Sequence, residues 1–180
     1  MAEGSLTPCV VVMAGLPGTG KSSLARALGA ELGGIVLDKD EVRAALFGDE
    51  WTEYSTEQDD FCVELMLETA QFLLGRARVP PVIFIDGRTF SRRCQLDRVL
   101  KWAVEAGCEV KIIETTCSDE TVRRRLQTAR HHAKNRDYEL YLRVKQQYEG
   151  IDYPKLIVNT DQDFKTSLEQ ALAYLREASK

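Results

Sequence analysis

Lys21 and Ser22 close the run Gly15-Leu16-Pro17-Gly18-Thr19-Gly20-Lys21-Ser22, which fits the pattern G-x-x-x-x-G-K-[ST]. Each residue type has a task there. Glycines allow backbone conformations closed to residues with a Cβ, so successive N–H groups can point inward at phosphate oxygens. Lys21 puts a compact positive charge on the β- and γ-phosphates, and the Ser22 hydroxyl is placed to ligate Mg²⁺. The pattern implies that a nucleoside triphosphate with Mg²⁺ is held by Gly15, Leu16, Pro17, Gly18, Thr19, Gly20, Lys21, Ser22 and Ser23. It does not say where the phosphate goes.

Moving a γ-phosphoryl group to an alcohol needs more than a triphosphate cradle. The alcohol must be aimed and deprotonated, the metal held, and the charge of the transition state met by a cation. Asp40 is the candidate base, in a segment Asp38-Lys39-Asp40-Glu41-Val42-Arg43 that follows an apolar run. Asp40 also reads as the N-cap of a helix, and a cap uses one oxygen, so both roles can hold. Asp38 is the rival base and otherwise a substrate contact. Arg43, about one helical turn beyond Asp40, is placed to hold an anionic group of the acceptor, or else faces water. Asp86 ends the run Val82-Ile83-Phe84-Ile85-Asp86, where a carboxylate holds Mg²⁺ through water. Arg88 follows closely and is a further substrate contact. The basic segment 129–137 carries Arg130 and Arg136 and reads as a lid with an in-cis arginine finger. Arg125 and Arg130 are the candidates for phosphate contact and Arg136 for the lid itself, which makes Arg130 and Arg136 the catalytic arginines. His131 and His132 read as exposed lid residues.

Those residues need a frame. Cys9–Ala14 is short, apolar and β-branched, as a buried parallel strand is. Leu24, Ala27, Leu28 and Leu32 follow at helical spacing, up to Gly33-Gly34. Further short strands fall at 35–37, 82–86, 109–115 and 156–158. Helices fall between them, with Ser55 opening a capping box, Ser91 capping the helix that bears Leu96 and Val99, and Phe61, Leu65, Thr69 and Phe72 along one face of the long helix. Strands alternating with helices predict an α/β fold: three layers around a five-stranded parallel sheet, with a helical lid. Ligands in such sheets bind at the carboxyl ends of the strands, which gathers Gly15–Ser22, Asp38–Arg43, Asp86–Arg88 and the residues after Val158 on one rim.

The bulk properties narrow the classes. At 180 residues the chain reads as one domain, 1–180. Its net charge of −4 argues against a surface that grips nucleic acid throughout. Five cysteines with no C-x-x-C pair read as reduced, mostly buried thiols of a cytoplasmic protein. Met1–Thr7 lacks a signal-peptide pattern, and no apolar run approaches membrane-spanning length.

Taken together, Gly15–Ser22, Asp38–Arg43, Asp86 after its strand and the arginine lid resemble the small P-loop kinases of the adenylate-kinase-like class. The resemblance is to the branch with the polynucleotide 5′-hydroxyl kinases, the chloramphenicol phosphotransferases and the zeta-toxin kinases, and it covers nearly the whole chain. In that branch an acid after the second strand is the general base, which matches Asp40. In the polynucleotide kinases an arginine at the position of Arg43 holds the substrate phosphate. The resemblance implies an ATP:alcohol phosphotransferase whose partners are ATP and a hydroxyl-bearing acceptor. The leading expectation is a small acceptor: a metabolite, a nucleoside or an antibiotic. The alternative is a polynucleotide 5′-hydroxyl kinase, and a third reading is a nucleotide-dependent switch or ATPase.

Overall fold

The structure, a computed structural model, describes residues 8–128 and 137–177. Five strands form one sheet: β1 (Cys9–Ala14), β2 (Ile35–Asp38), β3 (Val82–Asp86), β4 (Glu109–Thr116) and β5 (Leu156–Asn159). Every pairing is parallel and the order is β2-β3-β1-β4-β5. The helices are α1 (Lys21–Leu32), α2 (Lys39–Phe47), α3 (Thr56–Leu74), α4 (Arg93–Ala106), α5 (Asp119–Thr128), α6 (Tyr138–Gln146) and α7 (Phe164–Arg176). The fold is the three-layer α/β P-loop NTPase fold that the alternation predicts.

The strands are apolar throughout because both faces of the sheet are covered. Val10, Val12, Ala14, Ile83, Ile85 and Ile112 meet α3 and α4 on one face. Val11, Met13, Phe84, Ile113 and Val158 meet α1 and α7 on the other. The chain crosses from β1 out to β2, returns to β3 beside β1, then crosses again to β4 on the far side. That reversal opens a crevice above β1 and β3, at the carboxyl ends where the chemistry-bearing loops emerge.

Local expectations are corrected in three helices. The cap of α2 is Asp38, not Asp40. Asp38 is still extended (φ −103°, ψ 118°), so its Oδ1 can fold back to accept the Asp40 N–H at 2.9 Å. Asp40 lies two residues past the cap, inside the first turn, so its carboxylate is spared that role. The cap position of α4 belongs to Arg92, not Ser91; the Ser91 carbonyl instead accepts the Glu149 N–H at 2.9 Å. Finally, α3 buries Cys62, Val63, Met66, Leu67 and Ala70, while Phe61 and Phe72 are exposed. Two apolar faces compete on that helix, and the sheet takes the one with smaller side chains. Ser55 does cap α3, accepting the Gln58 N–H, but the Gln58 side chain accepts from Glu53 rather than closing the box.

The Asp38 cap also receives Arg26 Nη2 at 3.1 Å. Replacing Asp38 by Ala is expected to destabilise the fold by about 1 kcal/mol, or about 2–4 °C in Tm by calorimetry.

Candidate active site

The loop between β1 and α1 wraps tightly. Gly15 has φ 125°, and a Cβ there would collide with the Thr115 carbonyl of β4, so only glycine fits. Its N–H donates to the Thr89 carbonyl at 3.1 Å, which ties the loop to the segment after β3. Thr19 Oγ1 donates to the Leu16 carbonyl at 2.8 Å and shares a hydrogen bond with Thr115 Oγ1. Lys21 is buried, and its ammonium donates to the Gly15 and Leu16 carbonyls, both at 2.8 Å. The loop thus curls around the charge that would meet the phosphates.

Beyond the loop lies a cavity of about 380 Å³, lined by Gly18, Lys21, Ser22, Ser23, Arg125, Thr160 and Phe164 among others. Arg125, from α5, donates to the Thr160 hydroxyl at 2.9 Å and the Thr160 carbonyl at 2.8 Å. Thr160 Oγ1 donates in turn to the Thr19 carbonyl at 2.8 Å. The segment after β5 is in this way fastened both to α5 and to the loop. Thr160, Gln162 and Phe164 had no sequence signal of their own beyond lying after a strand.

On the other side of Pro17 lies a second, smaller cavity of about 160 Å³. It holds Lys39, Asp40 and Arg43 of α2, Tyr54, Asp59 of α3, Gly87, Arg88 and Thr89 after β3, and Leu140 and Val144 of α6. Gly87 has φ 86°, and a Cβ there would lie 2.7 Å from Asp38 Oδ1 and 2.8 Å from the Lys39 nitrogen. Glycine at 87 therefore lets the ends of β2 and β3 close on each other.

The two acids of the Asp38–Arg43 segment stand in different surroundings. Asp38 is buried with both oxygens engaged, Oδ1 by the Asp40 N–H and Oδ2 by Arg26. Burial, and then the neighbouring Asp86 carboxylate, raise its pKa above the ordinary carboxylate value. Asp40 is half-buried at the cavity wall. Arg43 Nη1 meets its Oδ1 at 2.9 Å and Lys39 Nζ meets the same oxygen at 3.2 Å. Among the described residues no hydrogen bond reaches its Oδ2. Arg43 is 3% exposed, so it is no solvated helix arginine; its guanidinium lies over the Tyr54 ring, 5.2 Å from the centroid. Arg88 is also buried and pairs with Asp60 at 2.5 Å. Lys39 and Asp59 carried no assignment in the sequence, because a lysine between two acids and an acid in a first helical turn both read as ordinary helix surface. Burial pushes the Lys39 ammonium down to about 8.

Asp86 is fully buried, and among the described residues neither carboxylate oxygen has a hydrogen-bond partner. A buried, unsatisfied carboxylate is costly unless something outside the chain meets it. A hydrated Mg²⁺ fits that need, since Mg²⁺ keeps most of its waters and takes one or two protein ligands plus phosphate oxygens. Among the described residues no group of three or more acidic, histidine or cysteine side chains could hold a metal by itself. The structure lines the first cavity with Gly18, Gly20, Lys21, Ser22, Ser23 and Arg125 and the second with Pro17, Asp40, Arg43 and Arg88, while Asp38 and Asp86 line neither and stand side by side at the ends of β2 and β3. Arg130 and Arg136 lie outside the described residues, as does the proposed lid except Asp137, which caps α6 by accepting the Leu140 N–H at 2.7 Å. Cys9 and Cys62 are buried thiols, whereas Cys94 is exposed. No helix of the described residues is long and apolar enough to cross a membrane.

Residues 10–150 match the model of a family described as an AAA domain. A search of curated protein sequences finds no match. Among solved structures, the chain is similar to a gluconokinase from Sinorhizobium meliloti, with 17% identity, 93% of this chain and 91% of that chain covered, and a TM-score of 0.69. It is similar to the APS kinase of Mycobacterium tuberculosis in complex with AMPPNP and APS, with 18% identity, 95% and 99% coverage, and a TM-score of 0.71. It is also similar to a shikimate kinase from Bacteroides thetaiotaomicron, with 16% identity, 94% and 99% coverage, and a TM-score of 0.61. At these identities the likeness is one of fold.

Proposed function

The chain belongs to the AAA domain family, and from that premise we propose that it is an ATP-dependent kinase that transfers the γ-phosphoryl group to a hydroxyl of a small-molecule acceptor. One observation carries the reading. Two cavities flank the phosphate loop, and the second holds a carboxylate with one oxygen that no described residue hydrogen-bonds. A nucleotide switch needs the first cavity only. The neighbouring folds include a gluconokinase, an APS kinase and a shikimate kinase, which supports kinase chemistry for this architecture.

In this reading the loop N–H groups and Lys21 hold the β- and γ-phosphates, and Arg125 lies along the nucleotide. Ser22 and Asp86 would hold Mg²⁺, which neutralises phosphate charge when bound. Asp40 Oδ2 takes the proton of the acceptor hydroxyl as the oxygen attacks. Arg43 and Arg88, both buried in the cavity wall, hold an anionic group of the acceptor. Arg130 and Arg136, outside the described residues, are proposed to meet the charge of the transition state. The small volume of the cavity, below the usual range for drug-sized ligands, favours a compact acceptor over a polynucleotide.

The test is transfer from γ-labelled ATP across glycerol, gluconate, shikimate, adenosine and a 5′-hydroxyl oligonucleotide. Label on a small alcohol is the expected result. Label on the oligonucleotide alone, fading with added salt, would replace this reading with the polynucleotide one. The metal assignment has its own expected outcome. Asp86→Asn should raise the Mg²⁺ concentration for half-maximal transfer about 10–100-fold, measured by titration at fixed ATP.

A further inference from the structure

We propose that Asp59 is a positioning residue for the acceptor side: by holding Lys39 and Arg43, it keeps one oxygen of the Asp40 carboxylate free to take the acceptor's proton. This rests on the kinase reading above. Lys39 and Arg43 flank Asp40 on α2, and both reach its Oδ1. Both also reach Oδ1 of Asp59, Lys39 Nζ at 2.7 Å and Arg43 through its Nη2. The four side chains form a closed square of two cations and two carboxylates, built by two helices. Side-chain exposure is 8% for Lys39 and 3% for Arg43, so neither cation can turn to water instead.

The charge count decides what Asp59 does. Two buried cations need two anions, because an uncompensated buried charge is strongly unfavourable. With Asp59 present, each cation divides its donors between the carboxylates, and Asp40 is gripped at one oxygen. Without Asp59, the same donors have only Asp40 to satisfy them. They would then engage both of its oxygens and leave none for a substrate proton. A purely structural role for Asp59, as a brace between α2 and α3, makes no such demand on Asp40. The adjacent residue extends the device: Asp60 holds Arg88, so consecutive acids of α3 support both arginines of the cavity. Other groups facing Lys39 are Arg88 after β3 and the Cys62 thiol of α3.

The experiment compares the wild-type chain with Asp59→Ala, which removes both acceptor oxygens, Lys39→Met and the double variant. It uses γ-labelled ATP and whichever of glycerol, gluconate, shikimate or adenosine the wild type phosphorylates fastest. Asp59→Ala should lower kcat about 10²-fold, the cost of a misplaced reacting group, with ADP affinity unchanged by calorimetry. Removing one cation as well should restore balance, so the double variant should be about tenfold faster than Asp59→Ala alone. Multiplicative losses in the double variant, or a fall in ADP affinity that tracks kcat, would mean a brace and nothing more. Wild-type transfer that Asp59→Ala matches overturns this inference alone. Absence of transfer to any of the four by the wild type overturns the small-acceptor reading and this inference with it.

Discussion

Asp40→Asn is expected to lower the rate of phosphoryl transfer about 10²–10⁴-fold while leaving ADP affinity unchanged. The change removes the proton acceptor but keeps the size of the side chain and an oxygen for Arg43 and Lys39. Asp40 lines the smaller cavity, away from the wall formed by Gly18, Lys21 and Ser22, so nucleotide binding has no reason to respond. The control is Asp38→Asn. Asparagine still caps a helix, and Asp38 has no oxygen to offer, since Arg26 and the Asp40 N–H take both. Asp38→Asn should therefore keep most of the activity. The opposite pattern, a large loss at 38 and a small one at 40, would move the base to the buried acid. Kinetics of both variants with ADP calorimetry separate the cases.

Lys21→Ala is expected to lower kcat/KM for ATP by about 10²–10³-fold or more, approaching complete loss of turnover. Lys21 is the buried cation curled inside the loop, held by the carbonyls of Gly15 and Leu16. Its charge is needed most when negative charge gathers on the transferring group. The fold should survive, because the loop is also held by Thr19 on Leu16, the Gly15 N–H on Thr89 and Thr160 on the Thr19 carbonyl. Circular dichroism at unchanged Tm beside lost transfer is the expected pair of readings. Transfer at the wild-type rate would remove the loop from the chemistry.

The parts of this molecule that were legible in its sequence share one property: their physics is local. The phosphate loop is a contiguous run whose glycines and lysine act within eight residues. Asp86 is marked by the apolar strand directly before it. The alternation of strands and helices follows from residue periodicity, and the parallel sheet follows from the alternation. What stayed hidden depends on contacts between distant segments. The strand order is set by how crossovers pack, so the junction of Asp38 and Gly87 could not be foreseen. Lys39 and Asp59 are twenty positions apart and look like surface residues until α2 and α3 bury them together. Which apolar face of α3 turns inward is equally non-local: Phe61 and Phe72 are the larger groups, yet close packing of the helix on the sheet buries Cys62, Met66 and Ala70. The cap of α2 falls two residues before Asp40 because a strand ending at Asp38 runs straight into the helix.

The central claim is that the γ-phosphate leaves this site on an alcohol. Phosphorus NMR of the wild-type chain with ATP, Mg²⁺ and the same panel of small alcohols reads the destination directly. The account predicts a new phosphate monoester that grows with ADP in equal amount and is suppressed in Asp40→Asn. Formation of ADP with inorganic phosphate alone, at the same rate with and without every alcohol, would contradict it.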